Sequence, residues 1–302
     1  MSDTRPMSEQ RVTFKFEGLA LAGVVRVPDG ARPTERRPAF MVLHGFGSNM
    51  NAANVLKPCA MLAELGYVTL RFDMPGCGES EGEKGRLICL EQVGAVSQAL
   101  SLLAQHPQVD VARIAVMGSS FGAAVAVYAG GVDQRIAAVV SASGWGHGER
   151  KFRGQHPTPE AFAKFTAMLE EGKRHRARTG QSLMVPRYDI VPIPNQMRGH
   201  LVPGSIQMFP AETAQSMFDF RAEEVVAKIA PRPLLLLHST SDSVTPVEQS
   251  IGLFQHAGQP TELHLFADTD HFMFAESNTR VRRIVQDWLA DYFAVDAKSA
   301  AA

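Results

Sequence analysis

The pattern of apolar and polar residues predicts a hairpin followed by six short strands. Residues 11–17 alternate, residues 21–27 are rich in valine and leucine, and Gly18 lies between them, which is typical of an antiparallel hairpin. The later runs are uniformly apolar, as expected for strands covered by helices on both faces of a sheet. These predicted strands are 39–43, 67–72, 113–117, 136–141, 234–237 and 261–266.

Stretches with apolar residues at a helical period separate most of these strands. The last of them carries Val281, Ile284, Val285 and Trp288 on one side. Strands that alternate with helices predict an α/β fold, with a mostly parallel sheet and right-handed crossovers. The predicted helices are 53–65, 88–105, 120–129, 247–256 and 278–292.

The alternation breaks between residues 146 and 230, where roughly 80 residues separate one strand from the next. Because a structureless loop of this length is uncommon in a compact domain, we predict a cap packed over one end of the sheet. Residues 160–178 form one amphipathic helix in this prediction, with Phe162, Phe165 and Met168 facing inward. The predicted domains are a core of residues 1–145 and 231–294, a cap of residues 146–230 and a disordered tail of residues 295–302.

Composition and charge narrow the class of protein. The 302 residues are 45% hydrophobic, and 30 basic residues nearly balance 31 acidic ones. The net charge of −1 therefore gives no reason to expect nucleic acid or a membrane as a partner. Three cysteines without a Cys-x-x-Cys pair indicate neither a disulfide framework nor a zinc site. The polar start lacks a signal-peptide core, and no apolar run could span a bilayer, so we expect a cytoplasmic protein.

Residues 118–122, GSSFG, match the pattern Gly-x-Ser-x-Gly between a predicted strand and a predicted helix. This context is the one that a nucleophile elbow requires. Ser120 would occupy a sharp, strained turn with its hydroxyl projecting, and Gly118 and Gly122 would allow close approach of the neighbouring backbone. The alternative is a tight turn with a purely structural role.

A serine hydroxyl needs a base, and the base needs a carboxylate that orients it. His271 follows the last predicted strand, and Asp242 follows the strand before it. The order Ser120, Asp242, His271 is the chain order expected for a nucleophile elbow and its partners. Asp268 and Asp270 are closer to His271 in sequence, but adjacent residues on one loop seldom point at each other, so we favour Asp242.

Acyl transfer also needs hydrogen-bond donors for the oxyanion. The backbone N–H of Phe121 is one candidate because it directly follows the nucleophile. The loop after the predicted strand 39–43 reads HGFGSN from His44, and we expect the N–H of Phe46 to be the second donor. His44 and Gly45 are expected to shape this loop.

At this point the chain resembles the α/β-hydrolase superfamily. The resemblance covers most of the chain outside the insertion, and rests on HGFG at 44–47, RFDMPGCGES at 71–80, GSSFG at 118–122 and the Asp242 and His271 loops. Within the superfamily, the chain is most similar to bacterial carboxylesterases of the feruloyl/cinnamoyl esterase and serine-aminopeptidase-like group. The resemblance implies a mostly parallel eight-stranded sheet flanked by helices, with a cap inserted between strands 6 and 7. The segment 71–80 resembles a turn with a structural role, and Cys77 lies within it.

The function implied is hydrolysis of a small carboxylic ester through an acyl-enzyme on Ser120. His271 would act as base and then acid, and Asp242 would hold its tautomer. Protein groups would supply every role, so no metal or organic cofactor is expected. The expected partner is a small-molecule substrate, and the oligomeric state stays open, a homodimer included.

Several residues near or within the insertion are candidates for substrate binding. Trp145 and His147 follow the strand after Ser120, and the alternative for this pair is a hinge with a packed tryptophan. Arg187, Tyr188 and His200 would form a polar pocket wall, and an arginine there would suit a carboxylate-bearing substrate.

Two other hypotheses remain open on the sequence. The same fold and triad could cleave an amide, a peptide N-terminus or a carbon–carbon bond beside a ketone. A non-catalytic binding protein on a hydrolase fold would be expected to have lost Ser120, Asp242 or His271, and all three are present.

Overall fold

Eight strands form one sheet in the computed structural model, which describes residues 9–276 and 278–296. They are β1 (Glu9–Phe16), β2 (Leu19–Arg26), β3 (Arg37–Leu43), β4 (Val68–Phe72), β5 (Val109–Ser119), β6 (Ile136–Ala142), β9 (Leu234–Ser239) and β10 (Thr261–Phe266). Their order in the sheet is β1-β2-β4-β3-β5-β6-β9-β10. β2 runs antiparallel to both of its neighbours, and the other six strands after β1 run parallel to one another. The predicted hairpin, the six later strands and the mostly parallel sheet are confirmed.

Helices cover both faces of this sheet, which explains the uniformly apolar strands. Along β3, Met41 and Leu43 pack into one apolar cluster, whereas Phe40 and Val42 pack into the cluster on the opposite face. The helices outside the insertion are α1 (Ala53–Glu64), α2 (Cys89–Ala104), α3 (Phe121–Val132), α8 (Glu248–His256) and α9 (Thr279–Tyr292). All five helices predicted from the apolar period are present, with ends shifted by up to three residues.

The insertion between β6 and β9 is largely helical. It contains α4 (Gly148–Gln155), α5 (Pro159–Thr179), β7 (Met184–Pro186), α6 (Arg187–Ile190), β8 (Met208–Pro210), α7 (Ala211–Asp219) and short 3-10 helices at Asn195–His200, Ala222–Glu224 and Val226–Ile229. α5 matches the one helix predicted here, with Phe165 buried and Phe162 and Met168 partly buried. The sequence did not predict the antiparallel pair of β7 and β8, since three-residue strands carry too little periodicity to detect.

The two ends of the insertion are joined to each other by backbone hydrogen bonds. The N–H of Gly148 donates to the carbonyl of Phe220, and the N–H of Glu223 donates to the carbonyl of Gly146, at 2.9 and 3.1 Å. The chain therefore leaves and re-enters the sheet region at one point. The division into core and cap stays a prediction, and residues 297–302 of the predicted tail lie outside the described residues.

Two further findings concern the cysteines and the helices. Cys59, Cys77 and Cys89 are free and buried. Within residues 9–276 and 278–296, no helix has both the length and the apolar character to cross a membrane.

Candidate active site

Ser120 lies on a strained turn between β5 and α3. Its φ and ψ are 57° and −116°, in a region that residues other than glycine rarely adopt. The flanking glycines are required, because a Cβ on Gly118 would lie 2.2 Å from the carbonyl oxygen of Gly122. A Cβ on Gly122 would lie 2.5 Å from the carbonyl oxygen of His44. The predicted elbow geometry is therefore present, with Ser120 at the carboxyl end of the parallel strands.

Asp242 and His271 come together from the loops after β9 and β10. The Nδ1 of His271 donates to the Asp242 carboxylate, at 2.9 Å from Oδ2 and 3.0 Å from Oδ1. This hydrogen bond places the proton of a neutral ring on Nδ1 and leaves Nε2 as an acceptor. The pattern is that of a base oriented by a carboxylate.

The Asp242 carboxylate is buried and remains ionised. Burial by itself would raise the pKa of Asp242, but the nearby His271 and His238, with hydrogen bonds from both rings, hold it well below its ordinary value. The N–H groups of Val244 and Thr245 also donate to Oδ1, at 2.8 and 2.7 Å. The carboxylate is therefore held in place by the two rings and by these two backbone amides.

Asp270 and Asp268 do not contact the His271 ring. Oδ1 of Asp270 accepts from the N–H of Ser243 at 2.8 Å and from the N–H of His271 at 2.7 Å. Asp270 thus joins the two loops through their backbones, and Asp268 is exposed. The structure pairs Asp242 with the ring, as the sequence analysis favoured.

His238 is a second histidine on Asp242, and the sequence analysis gave it no role. It is fully buried, and its Nε2 lies 3.3 Å from Oδ2 of Asp242 and 2.9 Å from the carbonyl oxygen of Thr245. Nε2 therefore carries the proton, and Nδ1 accepts from the hydroxyl of Ser250 at 2.6 Å. The signal available in the sequence was a histidine directly after the predicted strand 234–237 and four residues before Asp242.

One of the two expected oxyanion donors, Phe121, directly follows Ser120, and the other, Phe46, lies in the loop after β3. The N–H of Phe121 begins α3 and has no acceptor within the helix. Within residues 9–276 and 278–296, the N–H of Phe46 also makes no hydrogen bond. The rings of Phe46 and Phe121 lie 6.2 Å apart between centroids. Phe46 lines the pocket described below, and Phe121 directly follows Ser120, which also lines it.

His44 and Asp73 shape the loops around this site. His44 accepts from the N–H of Met74 through Nε2 at 3.1 Å and donates through Nδ1 to the carbonyl of Gly45 at 2.9 Å. A ring that accepts through Nε2 must be neutral, and burial lowers the pKa of His44 in the same direction. Asp73 accepts from the N–H groups of Met50 and Glu79, at 2.6 and 2.7 Å. Cys77 in the same turn is buried and does not line the pocket described next.

A narrow pocket connects Ser120 and His271. Its volume is about 50 Å³, little more than the space of one or two water molecules. The wall is mostly apolar and comes from both the sheet region and the insertion. The lining residues are Gly45, Phe46, Ser48, Ala52, Asn54, Ser119, Ser120, Arg187, Val191, Ile193, His200, Leu201, Val244, His271 and Phe272.

Two of the five predicted substrate-binding residues lie at this pocket. His200 lines it, and its ring stacks on Phe272 with centroids 5.3 Å apart. Arg187 also lines it but hydrogen-bonds to backbone carbonyls, so its terminal nitrogens are already engaged.

Trp145, His147 and Tyr188 are not brought to the pocket. Trp145 is buried against Phe220, and His147 caps α4 by accepting from the N–H of Arg150. The guanidinium of Arg198 lies 3.6 Å from the centre of the Tyr188 ring. Trp145 and His147 lie at the beginning of the insertion, where residues 146 and 148 hydrogen-bond to residues 220 and 223 at its end. This location matches the alternative of a hinge with a packed tryptophan.

The described part of the chain holds no group of three or more histidine, cysteine, aspartate and glutamate side chains that could bind a metal ion.

Comparison with known proteins places this chain in a family. The model of the family described as serine aminopeptidase, S33, matches residues 34–278. An uncharacterised 31.7 kDa protein of Escherichia coli, from the traX-finO intergenic region, is 28% identical over 283 residues, which are 90% of this chain and 95% of that protein. The polyketide transferase GrgF of Penicillium sp. is 23% identical over 290 residues, covering 89% of this chain and 91% of GrgF.

Solved structures share the fold. The crystal structure of GrgF, described as an alpha/beta hydrolase, superposes with a TM-score of 0.73 over 95% of this chain and 99% of GrgF. The hypothetical protein PA2218 of Pseudomonas aeruginosa gives a TM-score of 0.77 at 22% identity, over 95% of this chain and 96% of PA2218. Est1E of Butyrivibrio proteoclasticus, solved with ferulic acid, gives a TM-score of 0.64 at 16% identity, over 93% of this chain and 100% of Est1E. The predicted α/β-hydrolase fold is confirmed.

Proposed function

The chain belongs to the serine aminopeptidase S33 family of α/β-hydrolases, and from this premise we propose that it cleaves a small carboxylic ester by way of an acyl-enzyme on Ser120. The observation that supports the proposal most is how the two ring nitrogens of His271 are used. Its Nδ1 is bound to Asp242 at 2.9 Å, and its Nε2 makes no hydrogen bond to any residue of the described ranges. Ser120 borders the same pocket, so a base and a nucleophile face one small cavity.

The proposed reaction has two acyl-transfer steps. His271 takes the proton of the Ser120 hydroxyl through Nε2 while Oγ attacks the ester carbonyl. The N–H groups of Phe46 and Phe121 stabilise the oxyanion, a contribution of about 3–4 kcal/mol for one donor in a well-studied case. The intermediate collapses as His271 gives its proton to the leaving alcohol. Water then attacks the acyl-enzyme with the same base, and Ser120 regains its proton as the acid leaves.

The lining of the pocket favours an ester over a peptide N-terminus. An aminopeptidase must recognise a free ammonium group, for which a carboxylate is the usual partner. None of the described lining residues is aspartate or glutamate, and the cationic Arg187 is among them. A neutral acyl group would not be repelled by Arg187, and it brings no charged group that needs a partner in this mostly apolar cavity.

A second candidate function is acyl transfer to an acceptor other than water. The observation that favours it is the Penicillium relative, whose name is polyketide transferase. Both functions share the acyl-enzyme and differ only in what attacks it. The partition between acid and transferred product, measured with added alcohols, separates them.

The test combines covalent labelling with a substrate panel. A fluorophosphonate probe is applied to the wild type, Ser120→Ala and the control Ser101→Ala, whose hydroxyl lies on α2 and donates to the carbonyl of Ser97. We expect stoichiometric labelling at Ser120 by mass spectrometry, lost only in Ser120→Ala. p-Nitrophenyl acetate and butyrate are then compared with aminoacyl anilides and β-diketones. A folded wild type that neither labels nor cleaves esters would refute the proposal.

A further inference from the structure

Arg187 extends from the insertion to the loop after β3 that carries Phe46. One terminal nitrogen donates to the carbonyl of Phe46 at 2.5 Å. The other donates to the carbonyl of Ile206 at 2.7 Å and lies 3.4 Å from the carbonyl of Gly47. A single side chain therefore joins α6, the segment before β8 and the loop of Phe46.

The Arg187 guanidinium is buried without an acidic partner. The residue is 2% exposed, and among the described residues no carboxylate makes a salt bridge with it. Burial lowers the pKa of Arg187 to about 10, so the group keeps its charge at neutral pH. An unpaired buried cation is costly, and backbone carbonyls offset only part of that cost. The cation also lines the pocket that Ser120 borders.

Other contacts from the insertion hold the same loop. The N–H of Ile206 donates to the carbonyl of Gly47 at 2.9 Å, and the Phe209 ring stacks on the Phe46 ring with centroids 4.2 Å apart. Gly47 has a φ of 54°, and a Cβ there would lie 2.4 Å from the Phe209 ring. The insertion thus limits the conformations open to the Phe46 peptide.

We propose that Arg187 is a positioning residue for the oxyanion site. It fixes the carbonyl of Phe46 and with it the peptide unit that joins Phe46 to Gly47. This restricts the backbone of Phe46, and so helps to hold the N–H of Phe46, which belongs to the preceding peptide unit, where negative charge develops on the substrate. Its charge adds a favourable potential at that position, because the site is buried and the field is weakly screened. This inference rests on the proposed acyl-enzyme function. It replaces the expectation of a substrate carboxylate on Arg187, since both terminal nitrogens already bind carbonyls.

The alternative is that Arg187 only holds the fold together, and Arg232 provides the matched control. Arg232 also donates to backbone carbonyls, among them those of Gly130, Asp133 and Ile136, at 2.7 to 3.1 Å. It precedes β9 and does not line the pocket. Loss of either guanidinium removes hydrogen bonds to carbonyls, but only Arg187 contacts the oxyanion loop.

The experiment compares Arg187→Met, Arg187→Lys and Arg232→Met with the wild type. For each protein, kcat and KM for p-nitrophenyl acetate are measured. The enzyme concentration used to calculate kcat is the amount of Ser120 that a fluorophosphonate labels at completion. Inhibition constants are measured for a trifluoromethyl ketone, which forms an oxyanion on serine, and for an unreactive ketone of the same shape. For Arg187→Met we expect kcat to fall about 10- to 100-fold, as for a displaced donor, with KM within about twofold.

The affinity of Arg187→Met for the trifluoromethyl ketone should fall in parallel with kcat, while the unreactive ketone binds unchanged. Arg187→Lys keeps the positive charge but lacks the two-nitrogen guanidinium, so its kcat and ketone affinity should lie between those of the wild type and Arg187→Met. This variant keeps the test decisive if Arg187→Met does not fold. Arg232→Met should lose thermal stability but keep kcat. This inference is overturned, and the proposed function left intact, if wild type and Arg187→Met have equal kcat. The same holds if Arg187→Met loses affinity for both ketones equally. A wild type without Ser120 labelling or ester turnover removes the proposed function and this inference with it.

Discussion

Nε2 of His238 lies 3.3 Å from Oδ2 of Asp242, on the carboxylate that also binds His271. Both side chains are fully buried. His238 is held in turn by Ser250 and the carbonyl of Thr245, so the acid of the proposed triad belongs to a fixed polar network. We expect this network to limit rotation of the Asp242 carboxylate away from His271.

Replacing His238 tests the value of this network. His238→Phe removes both ring hydrogen bonds, and we expect kcat for p-nitrophenyl acetate to fall about tenfold, the equivalent of one charge-assisted hydrogen bond. His238→Gln retains one donor and should recover part of the loss. Steady-state kinetics and thermal melts on the same samples provide the measurement. An unchanged kcat in folded His238→Phe would show that Asp242 needs no such support.

Removing the charge of Asp242 should affect activity and acid stability in different ways. Asp242→Asn should lower kcat by about 10⁴-fold, because the wrong tautomer of His271 is favoured. Burial opposes the ionised carboxylate, but the histidines lower the pKa of Asp242 below its unfolded value. The ionised form therefore stabilises the folded wild type above about pH 4, and this contribution is lost as the pH falls further.

Urea unfolding of wild type and Asp242→Asn at pH 7 and pH 3 measures the second effect. The free energy of unfolding of the wild type, minus that of Asp242→Asn, should be larger at pH 7. A difference that grows on acidification would contradict the low pKa of Asp242.

Lys151 should make stability depend on alkaline pH. It is buried in the insertion, with Nζ 3.9 Å from the centre of the Phe152 ring, and burial lowers its pKa to about 7 from 10.5. Between these two pH values the unfolded chain binds a proton that the folded chain releases, so the free energy of unfolding rises with pH. Relative to Lys151→Met, the wild type should gain about 1 kcal/mol or more between pH 7 and pH 10.

Denaturant unfolding at the two pH values measures this gain. Lys164→Met, at an exposed position of α5, is the control and should show no such dependence. A Lys151→Met protein whose unfolding free energy follows the wild type across the range would place the Lys151 amine in contact with water.

The narrow pocket should limit the length of the acyl group. Val191 and Ile193 line the cavity of about 50 Å³, so Ile193→Ala should admit a longer chain. We expect the ratio of kcat/KM for butyrate to that for acetate esters to rise about tenfold, as a methylene in an apolar pocket typically allows. Leu90→Ala, on the exposed face of α2, should leave this ratio unchanged. An unchanged ratio in Ile193→Ala would place the acyl group elsewhere.

The sequence by itself determined the elements and the order of the proposed triad. Strand and helix periods are local properties, so they predicted the sheet and the helices of the core within a few residues. The pattern around Ser120 predicted the elbow because only glycine fits at positions 118 and 122. Asp242 and His271 could be placed because both follow parallel strands, whose carboxyl ends meet at one edge.

Only the tertiary structure decided what surrounds that triad. His238 contacts Asp242 across a buried turn, and Arg187 contacts Phe46 from 141 positions away in the chain. Trp145 and His147, close to the site in sequence, lie instead where the two ends of the insertion pair. Such contacts depend on how the insertion packs, and packing is set by the sum of many weak contacts that no local pattern records.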